Sequence, residues 1–290
     1  MAKDLFTKKW IIETGIPIIE NYGSELTLRS LYYRLVAAGM TNSQNHYKRV
    51  VNAMIEARWN GDVLFEAFKD HERESIGETK YEITSVESET ESSFGIIEHV
   101  MNRYKKNRWE NQIYYPEVWI EKKALQGLFE PICSRWDVSL NPCKGYPSLT
   151  FQYDAKERFE EARYQGKKPI ILYFGDYDCS GEDIPRSIKE TLERMGCEIE
   201  VKRIALMEHQ VLEWNLPPAP SKETDTRSSK WEGLGQVELD AVDPKVLKKL
   251  IDKSLFDILD IEKYEELKSD ESNEKEEYKT LIKNKVIDLT

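Results

Sequence analysis

Three acidic side chains stand where hydrophobic patterning does not call for them. Glu121 follows the run EVWI, and Asp176 and Asp178 close the run IILYFG in the string GDYDCSG. Residues two apart on an extended backbone project to the same side, so Asp176 and Asp178 face one way and Tyr177 the other. Two like charges on one side, joined by a third from a neighbouring strand, repel unless a cation neutralises them. Hard oxygen donors of this kind favour Mg²⁺, with Mn²⁺ as the other candidate. Gly181 lets the backbone turn tightly into the next element. A solvated strand-end turn is the plainer reading of D-x-D-x-x-G; Glu121, one repeat upstream, tips the balance toward a metal centre. Lys122, beside Glu121, either holds a phosphate oxygen or points into solvent.

These acids need a sheet to bring them together, and the sequence supplies one. From 112 to 215 the chain alternates: strand QIYYPEVWIEK, helix ALQGLFEPICSRW, strand VSLNPCKG and helix SLTFQYDAKERFEEARYQG. Strand KKPIILYFGDYD, helix SGEDIPRSIKETLERMG, strand EIEVKRIAL and helix MEHQVLEWNL follow. Strands separated by helices predict an α/β domain with a mainly parallel sheet, whose ligands sit at the carboxyl ends of the strands.

Residues 1 to 70 read as three helices instead. IIETGIPIIENYG ends at Gly23, LTLRSLYYRLVAAG starts behind Ser24 or Thr27, and NSQNHYKRVVNAMIEARWNG runs from an Asn42 cap to Gly61. Leu28, Leu31, Tyr32 and Leu35 repeat at the spacing of one buried helix face. A helix, a short turn and a helix bearing Lys48, Arg49, Asn52 and Arg58 fit a helix-turn-helix or winged-helix module; a generic three-helix cap fits as well. Arg34 adds to the basic residues of this block. His71–Ser93 is polar and acidic, a linker or loose wing within 71–111. Helix returns at FGIIEHVMNRYKKNRW, ending in the basic turn Arg103, Lys105, Lys106 and Arg108. Residues 216–290 open with a Pro-rich loop, pass through QVELDAVDP and end in charged helix. Glu238 and Asp240 alternate on a short strand there, either joining the acidic site or lying on a solvated edge. Lys222 and Arg227 in the preceding loop stand within possible reach of a backbone phosphate.

An acid after one parallel strand and D-x-D-x-x-G after a later one resemble the Toprim domains of topoisomerases, primases and certain nucleases. TLRSLYYRL is similar to the Arg-x-x-Tyr-Tyr helix of the topoisomerase VI A subunit and the related meiotic break-forming transesterases. In that family a winged-helix domain carrying the nucleophilic tyrosine precedes the Toprim domain, the order seen here. The resemblance covers about residues 25 to 210 and is nearest to the short, stand-alone prokaryotic relatives. It implies a winged-helix-like domain followed by a Toprim-type, Rossmann-like domain. It places the nucleophile on Tyr33 and the metal acids on Glu121, Asp176 and Asp178. It further implies double-stranded DNA as substrate and a homodimer in which the tyrosine of one subunit meets the metal site of the other. Cys179 stands where many members have proline, a position that no metal role needs. Arg29 and Tyr33 are i, i+4, so the guanidinium can lie over the phenol and lower its pKa from about 10. Arg29 is therefore the expected activator, and Tyr32 belongs to the apolar stripe.

Composition narrows the alternatives. The 290 residues carry 42 Lys and Arg against 53 Asp and Glu, a net charge of -11. Such an excess argues against nucleic acid unless the basic residues are gathered on one face, and 21 to 60 gathers them. Four scattered cysteines without a C-x-x-C pair argue against a zinc ribbon or disulfide framework, and with no apolar leader or membrane-length run they point to the cytoplasm. No P-loop motif is present, so any ATP dependence belongs to a separate B-type subunit. Two rival readings stay open: a hydrolytic Toprim nuclease using metal-activated water, and a non-catalytic DNA-binding protein.

Overall fold

The computed structural model describes residues 5–22, 26–69, 85–218 and 235–287. The chain divides into two compact units, one of Met1–Glu74 with Tyr115–Asp257 and one of Ser75–Tyr114 with Ile258–Thr290.

The larger unit opens with α1 (Lys8–Asn21), α2 (Leu28–Ala37) and α3 (Gln44–Asn60). Hydroxyls of Thr7, Thr27 and Ser43 cap them, accepting from the backbone N–H groups of Trp10, Ser30 and His46. Ser43 thus replaces the Asn42 cap expected from the sequence, because the Asn42 amide oxygen accepts from the Tyr32 hydroxyl at 2.7 Å. Gly61 closes α3 at φ 81°, a left-handed conformation that favours glycine. Gly23, the expected end of the first helix, lies outside the described residues. The three helices pack on one another through buried Ile11, Leu31, Leu35, Val50 and Met54.

The α/β expectation holds. Strands β1 (Tyr114–Ile120), β2 (Ser139–Pro142), β3 (Lys168–Phe174) and β4 (Glu200–Ala205) form a parallel sheet in the order β2-β1-β3-β4. Helices α5 (Gln126–Arg135), α6 (Leu149–Tyr164), α7 (Cys179–Arg194), α8 (Glu208–Glu213) and α9 (Pro244–Phe256) complete the unit. Period-2 alternation sends Trp119, Ile171 and Tyr173 to the face covered by Phe159 of α6 and Ile184, Ile188 and Leu192 of α7. Phe174 points to the other face, where its ring meets Phe129 of α5 edge-on at 5.0 Å. Strand order reverses between β1 and β3, which opens a crevice at their carboxyl ends.

QVELDAVDP is not the short strand expected. Val237 makes one antiparallel bridge to Tyr177, and Leu239–Ala241 then coil into a single 3-10 turn. The polar reading of His71–Ser93 falls partly outside the described residues, but from Val86 the chain is helical.

In the smaller unit α4 (Val86–Asn102) starts well before the expected FGIIEH segment. The Ser88 N–H donates to Ser85 Oγ at 3.1 Å and the Ser85 N–H to Ser88 Oγ at 3.0 Å, a reciprocal cap that outweighs the polar sequence. The helix stops at Asn102, so Lys106 and Arg108 lie beyond it and do not serve its dipole. They pair instead with Glu274 and Glu271 of α10 (Ile261–Ile287), each at 2.7 Å. Among the described residues no helix is long and apolar enough to cross a membrane.

Candidate functional site

Glu121 leaves β1 with its N–H donating to the Phe174 carbonyl at 2.9 Å, which sets it beside the end of β3. Its Oε2 accepts from the Asp176 N–H at 2.9 Å and from the Tyr173 hydroxyl at 3.4 Å. Gly175 makes room for this: a Cβ there would stand 2.7 Å from Glu121 Oε2. Burial raises the Glu121 pKa, the Asp176 N–H opposes the rise, and Asp178 adds to it.

Asp176 is 6% exposed. Its Oδ1 accepts from the Leu239 N–H at 2.8 Å, and its Oδ2 pairs with Lys122 Nζ at 2.8 Å. Burial raises its pKa, Lys122 lowers it, and Glu121 and Glu238 raise it, for a value of about 7. Asp178 caps α7, its Oδ1 accepting from the Gly181 N–H at 2.6 Å. Gly181 serves close approach rather than an unusual turn. Its φ is not in the left-handed region, and a Cβ would meet the Asp176 carbonyl oxygen at 2.1 Å.

Lys122 is the hub of positive charge. Besides Asp176 it pairs with Glu238 Oε2 at 3.2 Å. Burial opposes its charge, but Asp176, Asp240 and Glu238 outweigh burial and hold its pKa above the ordinary value. Glu238 in turn receives the Arg29 guanidinium through two bonds: Nε donates to Oε2 at 2.6 Å and Nη2 donates to Oε1. Despite burial, Lys122 and Arg29 hold the Glu238 pKa down to about 2. Asp240 is buried with no hydrogen bond to either carboxylate oxygen among the described residues, and Arg29 Nε lies 3.6 Å away.

The sequence therefore located Glu121, Lys122 and Asp176 together, the structure brings Glu238 and Asp240 to them rather than to a solvated edge, and it adds Arg203. Arg203, on β4, donates to the Asp176 carbonyl at 2.8 Å. The only hint of Arg203 was its place near the carboxyl end of a strand. Glu121 is partly buried, Asp176 is buried, and Asp240 has two oxygens without a hydrogen bond among the described residues, so hard oxygen donors of the kind a divalent cation takes are present. In this arrangement Lys122 supplies the compensating charge, and among the described residues no three acidic, histidine or cysteine side chains converge as a ligand group.

Tyr33 on α2 is 1% exposed. The expected activation by Arg29 is not found, because Glu238 has drawn the guanidinium to itself. Burial and then the Glu238 charge raise the phenol pKa, outweighing Arg29, so Tyr33 rests as a neutral phenol interacting with Glu238. Tyr32 is core, as expected, with its hydroxyl donating to Asn42 Oδ1 and accepting from the Ser43 N–H, both at 2.7 Å. A cavity of about 240 Å³ adjoins this point, lined by Arg29, Tyr32, Tyr33, Gln44, Tyr47, Lys48 and Glu238.

The expected DNA-contacting residues divide. Lys48 and Asn52 are exposed and one helical turn apart on α3. Arg34 donates to the Ala241 carbonyl and pairs with Asp243 at 3.4 Å. Arg49 donates to the Phe6 carbonyl, and Arg58 donates to the Met54 carbonyl and lies over the Phe68 ring at 5.4 Å. Those three arginines are engaged in holding the unit together. Lys222 and Arg227 lie outside the described residues. The chain significantly matches no protein-family profile, no curated protein and no solved structure.

Proposed function

We propose that the chain is a magnesium-dependent, DNA strand-cleaving transesterase of the topoisomerase VI A type. One observation carries this reading: the helix bearing Tyr33 is docked on the acid cluster within one compact unit. Arg29 and Tyr33 reach Glu238, Glu238 reaches Lys122, and Lys122 touches Asp176.

In the reaction the Tyr33 oxygen forms a bond to a backbone phosphorus and its proton passes to solvent. The 3′-oxygen leaves and takes up a proton, so the number of phosphodiester-type bonds is conserved and a 5′-phosphotyrosyl link results. Glu121, Asp176 and Asp178 are the residues to hold Mg²⁺ or Mn²⁺, whose charge would stabilise the crowded phosphate. Lys122 and Arg29 orient the phosphate oxygens, and exposed Lys48 and Asn52 meet the flanking backbone of duplex DNA. A homodimer would present two such sites to one duplex, and a separate B-type subunit would supply any ATP-driven step. The test is a covalent protein–DNA adduct after denaturant quench, which Tyr33→Phe should abolish.

The raised Tyr33 pKa favours a second reading, hydrolysis by metal-activated water with Tyr33 structural. Cleavage that survives Tyr33→Phe but is lost in Asp176→Ala selects it.

A further inference from the structure

We infer that Arg29, Lys122 and the Tyr33 hydroxyl form, within a single chain, the binding site for one phosphodiester group, and that the Glu238 carboxylate fills that site in this structure. The inference rests on the transesterase reading for its choice of ligand and adds which atoms receive it.

The first argument is the way Glu238 is held. A guanidinium grips it through two bonds, an ammonium lies 3.2 Å from one of the same oxygens, and a phenol interacts with it. A carboxylate presents two oxygens on one edge, and so does a phosphodiester, which is why an arginine fork accepts either. Two cations converge on this one anion.

The second argument is access. The Arg29 side chain is 41% exposed although its charge is paired. The cavity of about 240 Å³ runs along Arg29, Tyr33 and Glu238 and has Gln44 and Lys48 of α3 at its side. A nucleic-acid backbone entering there would meet both the Lys48 ammonium and the Glu238 carboxylate in the lining.

The third is the mounting of Glu238. Its backbone neighbours are fixed, Val237 by two hydrogen bonds to Tyr177 (2.8 and 2.9 Å) and Leu239 by its bond to Asp176. The carboxylate can leave by side-chain rotation while the loop stays in place. A phosphate arriving between Arg29 and Lys122 then sits against the Tyr33 oxygen. All of these groups come from one chain, unlike the arrangement implied by the resemblance, in which two subunits share the site. A homodimer would then set two complete sites on one duplex.

The experiment uses the full chain in metal-free buffer. Glu238→Gln should melt lower than wild type and recover with added inorganic phosphate in a saturable way, while wild type barely responds. Arg29→Gln combined with Glu238→Gln should lose the recovery. A single variant that responds no more than wild type, or a double variant that responds equally, overturns the inference. Should Glu238→Gln not fold, Glu238→Asp, too short to reach Arg29 and Lys122 together, must show the same gain. A fluorescent single-stranded oligonucleotide at fixed salt gives the second readout: Glu238→Gln should bind about tenfold tighter, a change of about 1.4 kcal/mol, and equal or weaker binding counts against the site. Co-expressed Tyr33→Phe and Lys122→Gln chains should form no covalent adduct, and an adduct recovered in the mixture overturns assembly within one chain. Wild type that forms no adduct, with the phosphate response intact, sinks the transesterase reading alone. An adduct in wild type without that response sinks this inference alone.

Discussion

Arg29 and Glu238, 209 positions apart, form a two-point ion pair that joins the helix carrying Tyr33 to the loop beside the acids. This contact ties the helical bundle to the sheet at its carboxyl edge. Alanine at both positions should show coupling in a double-mutant cycle of about 1–2 kcal/mol by urea denaturation. That is less than a fully buried pair would give, since Arg29 is partly open to water. Strictly additive losses would mean that the pair joins nothing.

Glu238 also gives the fold a pH signature. Its folded pKa of about 2 lies below the ordinary 4.5. The unfolded chain therefore binds the proton more readily, and Glu238 contributes stability above about pH 4.5 that is lost as pH falls toward about 2. The stability gap between wild type and Glu238→Gln, measured by urea titration across that range, should narrow as the solution is acidified. A constant gap would show that the carboxylate is not selectively held as an anion.

Gly181→Ala is expected to be costly despite its ordinary backbone angles. The added methyl carbon would fall 2.1 Å from the Asp176 carbonyl oxygen, and that oxygen cannot yield because Arg203 and the acid loop hold it. A loss of at least about 2 kcal/mol by denaturant melting is expected. Divalent-ion binding should also weaken, as read by Mn²⁺ electron paramagnetic resonance.

Glu117 is a buried carboxylate on β1 with a purely architectural role. Arg158 reaches it at 2.7 and 3.0 Å, Trp119 Nε1 donates to it at 2.9 Å, and Asn141 donates at 3.0 Å. Arg158→Ala would leave this charge enclosed without its counter-ion, at about 3 kcal/mol after allowing for the partial exposure of Arg158. A loss under about 0.5 kcal/mol, in the range of ordinary surface changes, would show that water can replace the guanidinium.

Local pattern was enough for the sheet and for the acids at its edge. Strand-length apolar runs between helix-length amphipathic ones leave little choice but parallel pairing, and that pairing brings Glu121 and Asp176 together. Asp178, read from the sequence as a metal acid, also caps α7 through its Oδ1, a role that a carboxylate just ahead of a helix can take and that spacing alone does not separate from metal binding. Glu238 was harder. Its alternation with Asp240 resembles a short strand, whereas one bridge and a tight turn are formed, and its meaning comes from Arg29 and Lys122, distant in sequence. The activating contact of Arg29 with Tyr33 was misjudged because helical spacing shows which residues are neighbours but not which competitor arrives from elsewhere. Asn42 lost the cap to Ser43 for the same reason, its amide being claimed by Tyr32.

The bridge between Tyr177 and Val237 and the bond from Leu239 to Asp176 have a bearing on biosynthesis. During translation the bundle, which ends at Asn60, emerges long before the strip that fastens it to the sheet. Until Gly235–Asp243 leaves the ribosome, Arg29 lacks its Glu238 partner and Asp176 lacks its bond from Leu239. A nascent or truncated chain would therefore present Arg29 as an open site for anions, which the late strip closes by supplying Glu238.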